Sequence, residues 1–337
     1  MEQRSFLMRF LTTRGVGQVV TVTFGLIALC FVFFILEPKF LSGRNIANLS
    51  RQIVPILLVG ISQSYVLITG NIDLSIGSLL GMSCMMSATL MTKGFHPLSA
   101  CLITMVACLV VGLLNGVLVA KCKLPPFIAT LGTMTIARGI AQIVNNNYNT
   151  DSIGYGPAAQ AFQNVLYYGR IGPLYSPVVI AIVLWGFFFF LLSWTRTGRH
   201  IYAVGSNKEA SRLSGVNVDR TVVLAYMVSA FCACIVGLMT TATSGMGSMD
   251  AGNMYEMYAV AASVIGGVST LGGQGLLLGT VIGAAIWGVL QNGLQFAGAP
   301  VAIRNIVIGV IVIVSVLIDV VIRTGNWKFL KSKKRGA

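Results

Sequence analysis

The run Asn71-Ile-Asp73-Leu-Ser75-Ile-Gly-Ser78 interrupts a hydrophobic stretch that otherwise extends from Ile53 to about Met91. A carboxylate at membrane depth costs on the order of 2.5–3.5 kcal/mol. Asp73 therefore has to be paired, to cap a helix or to line a wet cavity. Capping is the favoured reading, with the side chain accepting from the backbone N–H of Ser75 or Ile76. Contact with a polar solute and a packing or partner contact stay open. The other polar groups in apolar runs are mostly neutral: Gln63, Ser64, Asn115, Gln142, Gln291, Asn292 and Gln295. Such groups suit a neutral polyhydroxyl solute better than an ion. They equally suit helix–helix hydrogen bonds of about 0.6–2 kcal/mol each. Asn71, Asp73, Ser75, Asn115, Gln291, Asn292 and Gln295 thus form one candidate set, for a translocation path or for structure. His96 and His200 fall in different loops, and neither H-E-x-x-H nor G-x-S-x-G occurs. No catalytic or metal-binding constellation is read, and no chain of acidic residues of the kind that drives proton-coupled carriers. The energy source is expected in another subunit.

Two further segments carry spacing. Gly266-Gly267-Val-Ser269-Thr-Leu-Gly272-Gly273-Gln-Gly275 has no Lys after its glycines, so it reads as a tight cytoplasmic turn rather than a phosphate loop. Gly275, Gly279 and Gly283 follow four apart, the spacing that lets two helix backbones approach closely. The polar segment Thr195–Arg220 contains Gly205, Ser206, Asn207, Lys208, Glu209, Arg212, Leu213, Ser214 and Gly215. Ser206-x-x-Glu209 fits a capping box and Gly215 a left-handed C-terminal stop. About two helical turns lie between, with Glu209 and Arg212 at i,i+3 and an apolar edge from Leu213 and Val216. So short a helix is marginal alone in water. It is expected to be held by the membrane domain or by a partner, or else to be a solvated loop that fixes orientation.

The elements that must position these residues follow from composition. Of 337 residues, 55% are hydrophobic and only 9% charged. That excludes a soluble enzyme and a disordered chain. Ten apolar segments are read, at roughly 17–36, 53–69, 76–91, 98–119, 127–144, 177–194, 222–241, 256–271, 275–296 and 301–322, the third and eighth short. The fold class is all-α: a single polytopic membrane domain over 1–337. The charge of +14 does not form one basic patch, so nucleic acid is not an expected partner. With the N-terminus inside, most Lys and Arg fall on one side, in 1–16, at Lys121 and Lys123, in a loop over 195–221 and in a tail over 323–337. This bias supports ten spans with both termini cytoplasmic. Six of seven cysteines lie in apolar runs, and no C-x-x-C pair occurs, so disulfides and zinc are not expected. Spans two to five and seven to ten also align. Asp73 and Asp250, Asn115 and Asn292, and Gly116 and Gly293 each sit 177 residues apart. Five helices separate the halves, so the repeat would be inverted, a transporter signature. Chance matching of apolar segments is its rival.

The run Ile68-Thr-Gly-Asn-Ile-Asp73-Leu-Ser-Ile-Gly77-Ser resembles the G-x-I-D-L-S-V-G-S stretch of ribose-type sugar ABC importer permeases. Gly198-Arg-x-Ile-Tyr-Ala-Val-Gly205-x-Asn207, Arg212-Leu-Ser-Gly215-Val-Asn, Gly266-Gly-Val-Ser-x-Leu-Gly-Gly-Gln-Gly275 and Gln291-Asn-Gly-Leu294 are similar to that family's motifs in the same order. Asn71 departs, standing where Gly is common. The resemblance implies a bacterial inner-membrane permease working as a pair, a homodimer or a heterodimer with a related permease. Two cytoplasmic ATPase subunits would drive it with their own ATP–Mg, since this chain carries no cofactor. A periplasmic or lipid-anchored binding protein would deliver a monosaccharide. The Lys208–Gly215 loop would dock into the ATPase. Alternatives are an ABC permease for a branched-chain amino acid or nucleoside, and an ATP-independent carrier.

Overall fold

A computed structural model describes residues 16–324. The expected cytoplasmic N-terminal segment and basic tail lie almost wholly outside them. Each of the ten apolar segments is a helix. In chain order the helices are α1 (Val16–Leu36), α2 (Gly43–Ile68), α3 (Ile76–Thr92), α4 (Pro97–Ala120), α5 (Pro126–Ile143), α6 (Pro157–Gln163), α7 (Ser176–Trp194), α8 (Arg196–Ser206), α9 (Lys208–Leu213), α10 (Val218–Ser244), α11 (Tyr255–Ile265), α12 (Leu277–Phe296) and α13 (Val301–Thr324). A short antiparallel pair, β1 (Arg170–Ile171) and β2 (Leu174–Tyr175), interrupts the long loop before α7.

Among the described residues, six helices are long and apolar enough to cross a membrane: α1, α2, α4, α7, α10 and α12. At 1.5 Å per residue, α3 with 17 residues reaches about 26 Å and α11 with 11 residues about 16 Å. Both fall short of a roughly 30 Å hydrocarbon core. The eighth segment, expected to run to 271, ends as a helix at Ile265, because Gly266 and Gly267 start the turn there. The second starts at Gly43, ten residues early, where Ser42 caps it by accepting from Asn45 N.

The core lies around α2 and α10, the two most buried of the six long helices. α2 packs against α11 and α12, while α10 packs against α3 and α4, and the two touch each other. Shifted by 177 residues, α2 falls on 220–245 beside α10, and α4 on 274–297 beside α12. In each case the agreement is within three residues. α3 and α5 fall at 253–269 and 303–320, over α11 and α13. Each half thus inserts its first helix between the second and third helices of the other. Hydroxyls mark the same exchange. Ser64 on α2 bonds Ser263 and Thr280, and Thr241 on α10 bonds Ser87.

Candidate functional site

The loop between α2 and α3 does not simply turn at one end of the bundle. After Ile68 it folds back until Asp73 meets Ser229, near the middle of the 27-residue α10. Asp73 is fully enclosed, with 1% exposure. Its Oδ1 accepts from the backbone N–H and the hydroxyl of Ser75, at 2.8 and 2.6 Å, and its Oδ2 accepts from Ser229 Oγ at 2.6 Å. Three short bonds to one carboxylate offset the burial cost of an isolated charge. Ser229 pairs with Ser62 at 2.8 Å, Asn115 donates to Ser75 Oγ at 2.9 Å, and Thr133 donates to Asn115 Oδ1 at 2.6 Å. Asp73, Ser75 and Asn115 are therefore joined in one buried network linking α2, α10, α4 and α5.

The other candidates lie elsewhere. Asn292 accepts from Asn45 Nδ2 at 2.8 Å and donates to Gln52 Oε1 at 3.1 Å, near the opposite end of α2. With Gln295 these residues line a cavity of about 410 Å³. Gln291 is half-buried. Gln63 is fully buried, and neither its Oε1 nor its Nε2 has a protein partner.

At the end where α2 finishes, three loops converge. Gly273 N donates to Ile68 O at 2.8 Å, and Gly205 lies so close to both that a Cβ there would collide with Ile68 O. Tyr202 donates from its hydroxyl to Gly275 O at 2.7 Å, and Lys208 Nζ reaches Asn71 Oδ1 at 3.4 Å. Asn71 thus belongs to this cluster and not to the Asp73 network. In the turn, Ser269 is buried, its backbone N–H donates to Gln274 O, and its hydroxyl accepts from Leu271 N. Gly267, Gly272 and Gly273 have positive φ. Gly275 precedes α12 instead of lying on its face, because the helix begins only at Leu277. Gly279 and Gly283 do meet another backbone, at Gly266 and Ala262.

The polar segment 195–217 is two helices, not one. α8 was not foreseen; it buries Ile201 and Val204 against the core, and Thr195 caps it. Because α8 runs through Ser206, the cap of α9 is Asn207, accepting from Ala210 N at 2.9 Å, in place of the expected Ser206. Glu209 pairs with Arg212 at 3.3 Å. Gly215, at φ +81°, stops α9, with Val216 N bonded back to Ser211 O. Ser214 folds its hydroxyl onto Ala210 O. Val216 rests on the core, whereas Leu213 is 90% exposed at the tip. Burial and the nearby Lys123 lower the Lys208 pKa from its usual range. Burial raises that of Tyr202 to about 12.

Sequence reasoning named Gln142 and Asp250 but did not bring them together with Arg138, Asn253 and Glu256 in one polar region. The loop 245–254 does not stay at the end of α10. Gly247 lies against Met85 and Ala88, but Gly252 lies against Gly77. It therefore descends about 12–16 Å along α3, and α11 starts inside the bundle. Arg138 on α5 donates from Nη1 to Met249 O and Ala251 O at 3.0 and 2.9 Å. Glu256, in the first turn of α11, occupies the space beside Gly77, and Arg138 the space beside Gly81. Arg138, Gln142, Met249, Asp250 and Asn253 line a cavity of about 290 Å³. The available signal was a charged residue at the start of a short apolar segment, after a loop of glycines.

The chain matches, over residues 45–316, the family described as branched-chain amino acid transport system / permease component. It is 35% identical to the ribose import permease protein of Bacillus subtilis (strain 168), covering 90% of this chain and 94% of that protein. It is 33% identical to the ribose import permease protein of Escherichia coli (strain K12), over 87% and 91%. With the D-allose transport system permease protein of the same strain it shares 34% identity, over 88% and 90%. No solved structure matches.

Proposed function

This chain belongs to the family of branched-chain amino acid transport system permease components, and from that premise we propose that it is the membrane subunit of an ATP-driven importer for a monosaccharide. The observation that carries the coupling is the α8–α9 segment. Its apolar tip, Leu213, is exposed while its base is locked to the ends of α2 and α11 through Gly205, Gly273 and Ile68. A rigid lever of this kind suits docking into a separate ATPase, which would hold its own ATP–Mg. Gly205, Asn207, Lys208, Glu209, Arg212, Ser214 and Gly215 would shape that lever, and Leu213 would enter the partner. The relatives named for ribose and allose support a simple sugar as cargo.

Ten membrane elements with both termini cytoplasmic fit the basic residues, with α3 and α11 as short helices that meet inside the bundle. The helix correspondence at 177 residues fits an inverted repeat, whose halves would rock against each other. The working unit would be two permeases, two ATPases and a sugar-binding protein on the outer face of the inner membrane. Asp73, Ser75 and Asn115 would fix the shape of the path from within, rather than touch cargo. A second reading, an amino acid or other small polar solute, is favoured by the family's own description.

Purification from the native membrane in mild detergent tests the class. A soluble ATPase recovered at one per permease is expected. A permease that emerges alone and moves solute without ATP would overturn the reading.

A further inference from the structure

The end of the bundle away from α8 and α9 carries cations without carboxylates. Arg44 and Arg51 lie in the first third of α2, seven residues apart. Two turns bring them onto one helix face, about 10 Å from each other along the axis. A cavity opens beside each. Arg44 borders the cavity of about 410 Å³, with Ser42, Asn48 and Gln295 around it. Arg51 borders a second one of about 250 Å³, walled by Tyr167, Pro177 of α7, Thr240 of α10 and Tyr255 of α11. Gln52 lies in the wall of both. Arg51 is braced: its Nη2 donates to Asn48 Oδ1 at 2.6 Å, and its guanidinium carbon sits 4.0 Å from the centre of the Tyr175 ring. Its Nε is buried without a protein partner. Arg170 lies 4.5 Å from the same ring centre and donates to the Tyr175 hydroxyl at 2.6 Å. That hydrogen bond and the two positive charges lower the Tyr175 pKa from its usual range. Among the described residues the only ion pairs are Lys123–Asp219 and Glu209–Arg212, both at the α8–α9 end. Glu37, Asp151 and Asp250 belong to the segments at the arginine end, and among the described residues none of them pairs with these arginines.

A guanidinium that lacks a carboxylate and borders an open cavity is a socket for one. Resting on the importer reading above, we infer that this end of α2 is the docking surface for the sugar-binding protein, which inserts one acidic side chain beside Arg44 and a second beside Arg51. The two carboxylates stand about 10 Å apart on the partner, matching two turns of α2. The side opposite α8 and α9 is the side on which the importer reading places the binding protein. The Arg51 cavity is enclosed by α2, α7, α10 and α11 rather than open to the lipid perimeter. A protein side chain arriving from the water therefore fits it better than a lipid headgroup does.

The test uses the permease–ATPase complex in nanodiscs of phosphatidylcholine with phosphatidylglycerol, and the soluble sugar-binding protein that stimulates its ATP hydrolysis. Arg44→Glu reverses an exposed charge in the first turn of α2. An acid suits a helix N-terminus, so a loss of docking there is not a loss of fold. Arg51→Gln, with Arg51→Lys as its conservative counterpart, probes the second socket. Thermal stability and ATPase content check the assembly of each variant. Arg44→Glu and Arg51→Gln are each expected to weaken docking of the binding protein at least about tenfold, the lower end for close charge pairs across an interface. Arg51→Lys should keep more of the affinity. Added salt should weaken docking to the wild type more steeply than to either charge-removing variant. Wild-type docking affinity in both variants overturns the proposal while leaving the importer intact. So does phosphatidylglycerol that is retained by the wild type and lost from Arg51→Gln at unchanged docking affinity, which would assign the cavity to a lipid headgroup. A wild-type complex whose ATP hydrolysis no sugar-binding protein stimulates overturns the importer reading itself, and the docking surface with it.

Discussion

Asp73 and Asn115, on different helical hairpins, meet on one hydroxyl. Ser75 Oγ donates to Asp73 Oδ1 at 2.6 Å and accepts from Asn115 Nδ2 at 2.9 Å. Through Ser229 and Thr133 the same chain of bonds reaches α10 and α5. A buried carboxylate placed this way orders the crossing of the two halves.

Replacing Asp73 therefore acts on stability first. Asp73→Asn keeps the shape but places an amide N–H₂ opposite the Ser229 or Ser75 hydroxyl. It should cost about 1.5–3 kcal/mol, the range for bonds to charged groups. Thermal denaturation in detergent reads this directly. A variant with wild-type stability and an altered KM for sugar would instead make Asp73 a cargo contact.

Gln63 should behave in the opposite way. Its buried amide has no protein partner, so the folded state carries its desolvation without return. Gln63→Leu is expected to leave stability unchanged or raise it by about 1–3 kcal/mol. A clear loss of stability would mean that the amide is satisfied by bound water or a partner chain.

Leu213 separates coupling from folding. At 90% exposure it contributes almost nothing to the fold, and Leu213→Asp should shift stability by no more than about 0.5 kcal/mol. Sugar-stimulated ATP hydrolysis by the assembled complex should be lost. Full stimulation in a well-assembled variant would remove α9 from the coupling path.

Tyr202 gives the coupling base a pH signature. Burial holds its hydroxyl neutral up to about 12 in the folded chain, against about 10 when unfolded. Above pH 10 the unfolded state loses its proton first, so this group's contribution to stability falls as pH rises from 10 to about 12. Tyr202→Phe removes the bond to Gly275 O and should cost about 1 kcal/mol near neutral pH. The gap between variant and wild type should close above pH 10. A gap constant with pH would contradict the assigned environment.

Much of this was legible in the sequence, because apolar runs of span length and a glycine stop such as Gly215 report local physics. At the 177-residue offset the boundaries of α2 match those of α10 and those of α4 match α12 within three residues, whereas α3 and α11 differ by six residues in length. Depth was not legible. Hydropathy sees Gly245–Met254 as a loop but cannot tell that it descends along α3, which is fixed by contacts between Gly252 and Gly77. Nor does it see that Glu256 of α11 and Arg138 of α5 lie against adjacent turns of α3, at Gly77 and Gly81. α8 escaped because its polar residues mask two buried positions, Ile201 and Val204. Asp250 resembled Asp73 only in number. One is exposed in a cavity wall and the other enclosed by hydroxyls, since the equivalent of Ser75 is Gly252.

The most direct test of the account is sugar accumulation in sealed liposomes carrying the permease, its ATPase and its binding protein, with ATP or ADP supplied on the ATPase side. The account predicts uptake of a monosaccharide against its gradient with ATP, and none with ADP. Equilibration of sugar with ADP at the same rate would contradict it and make the chain a facilitator.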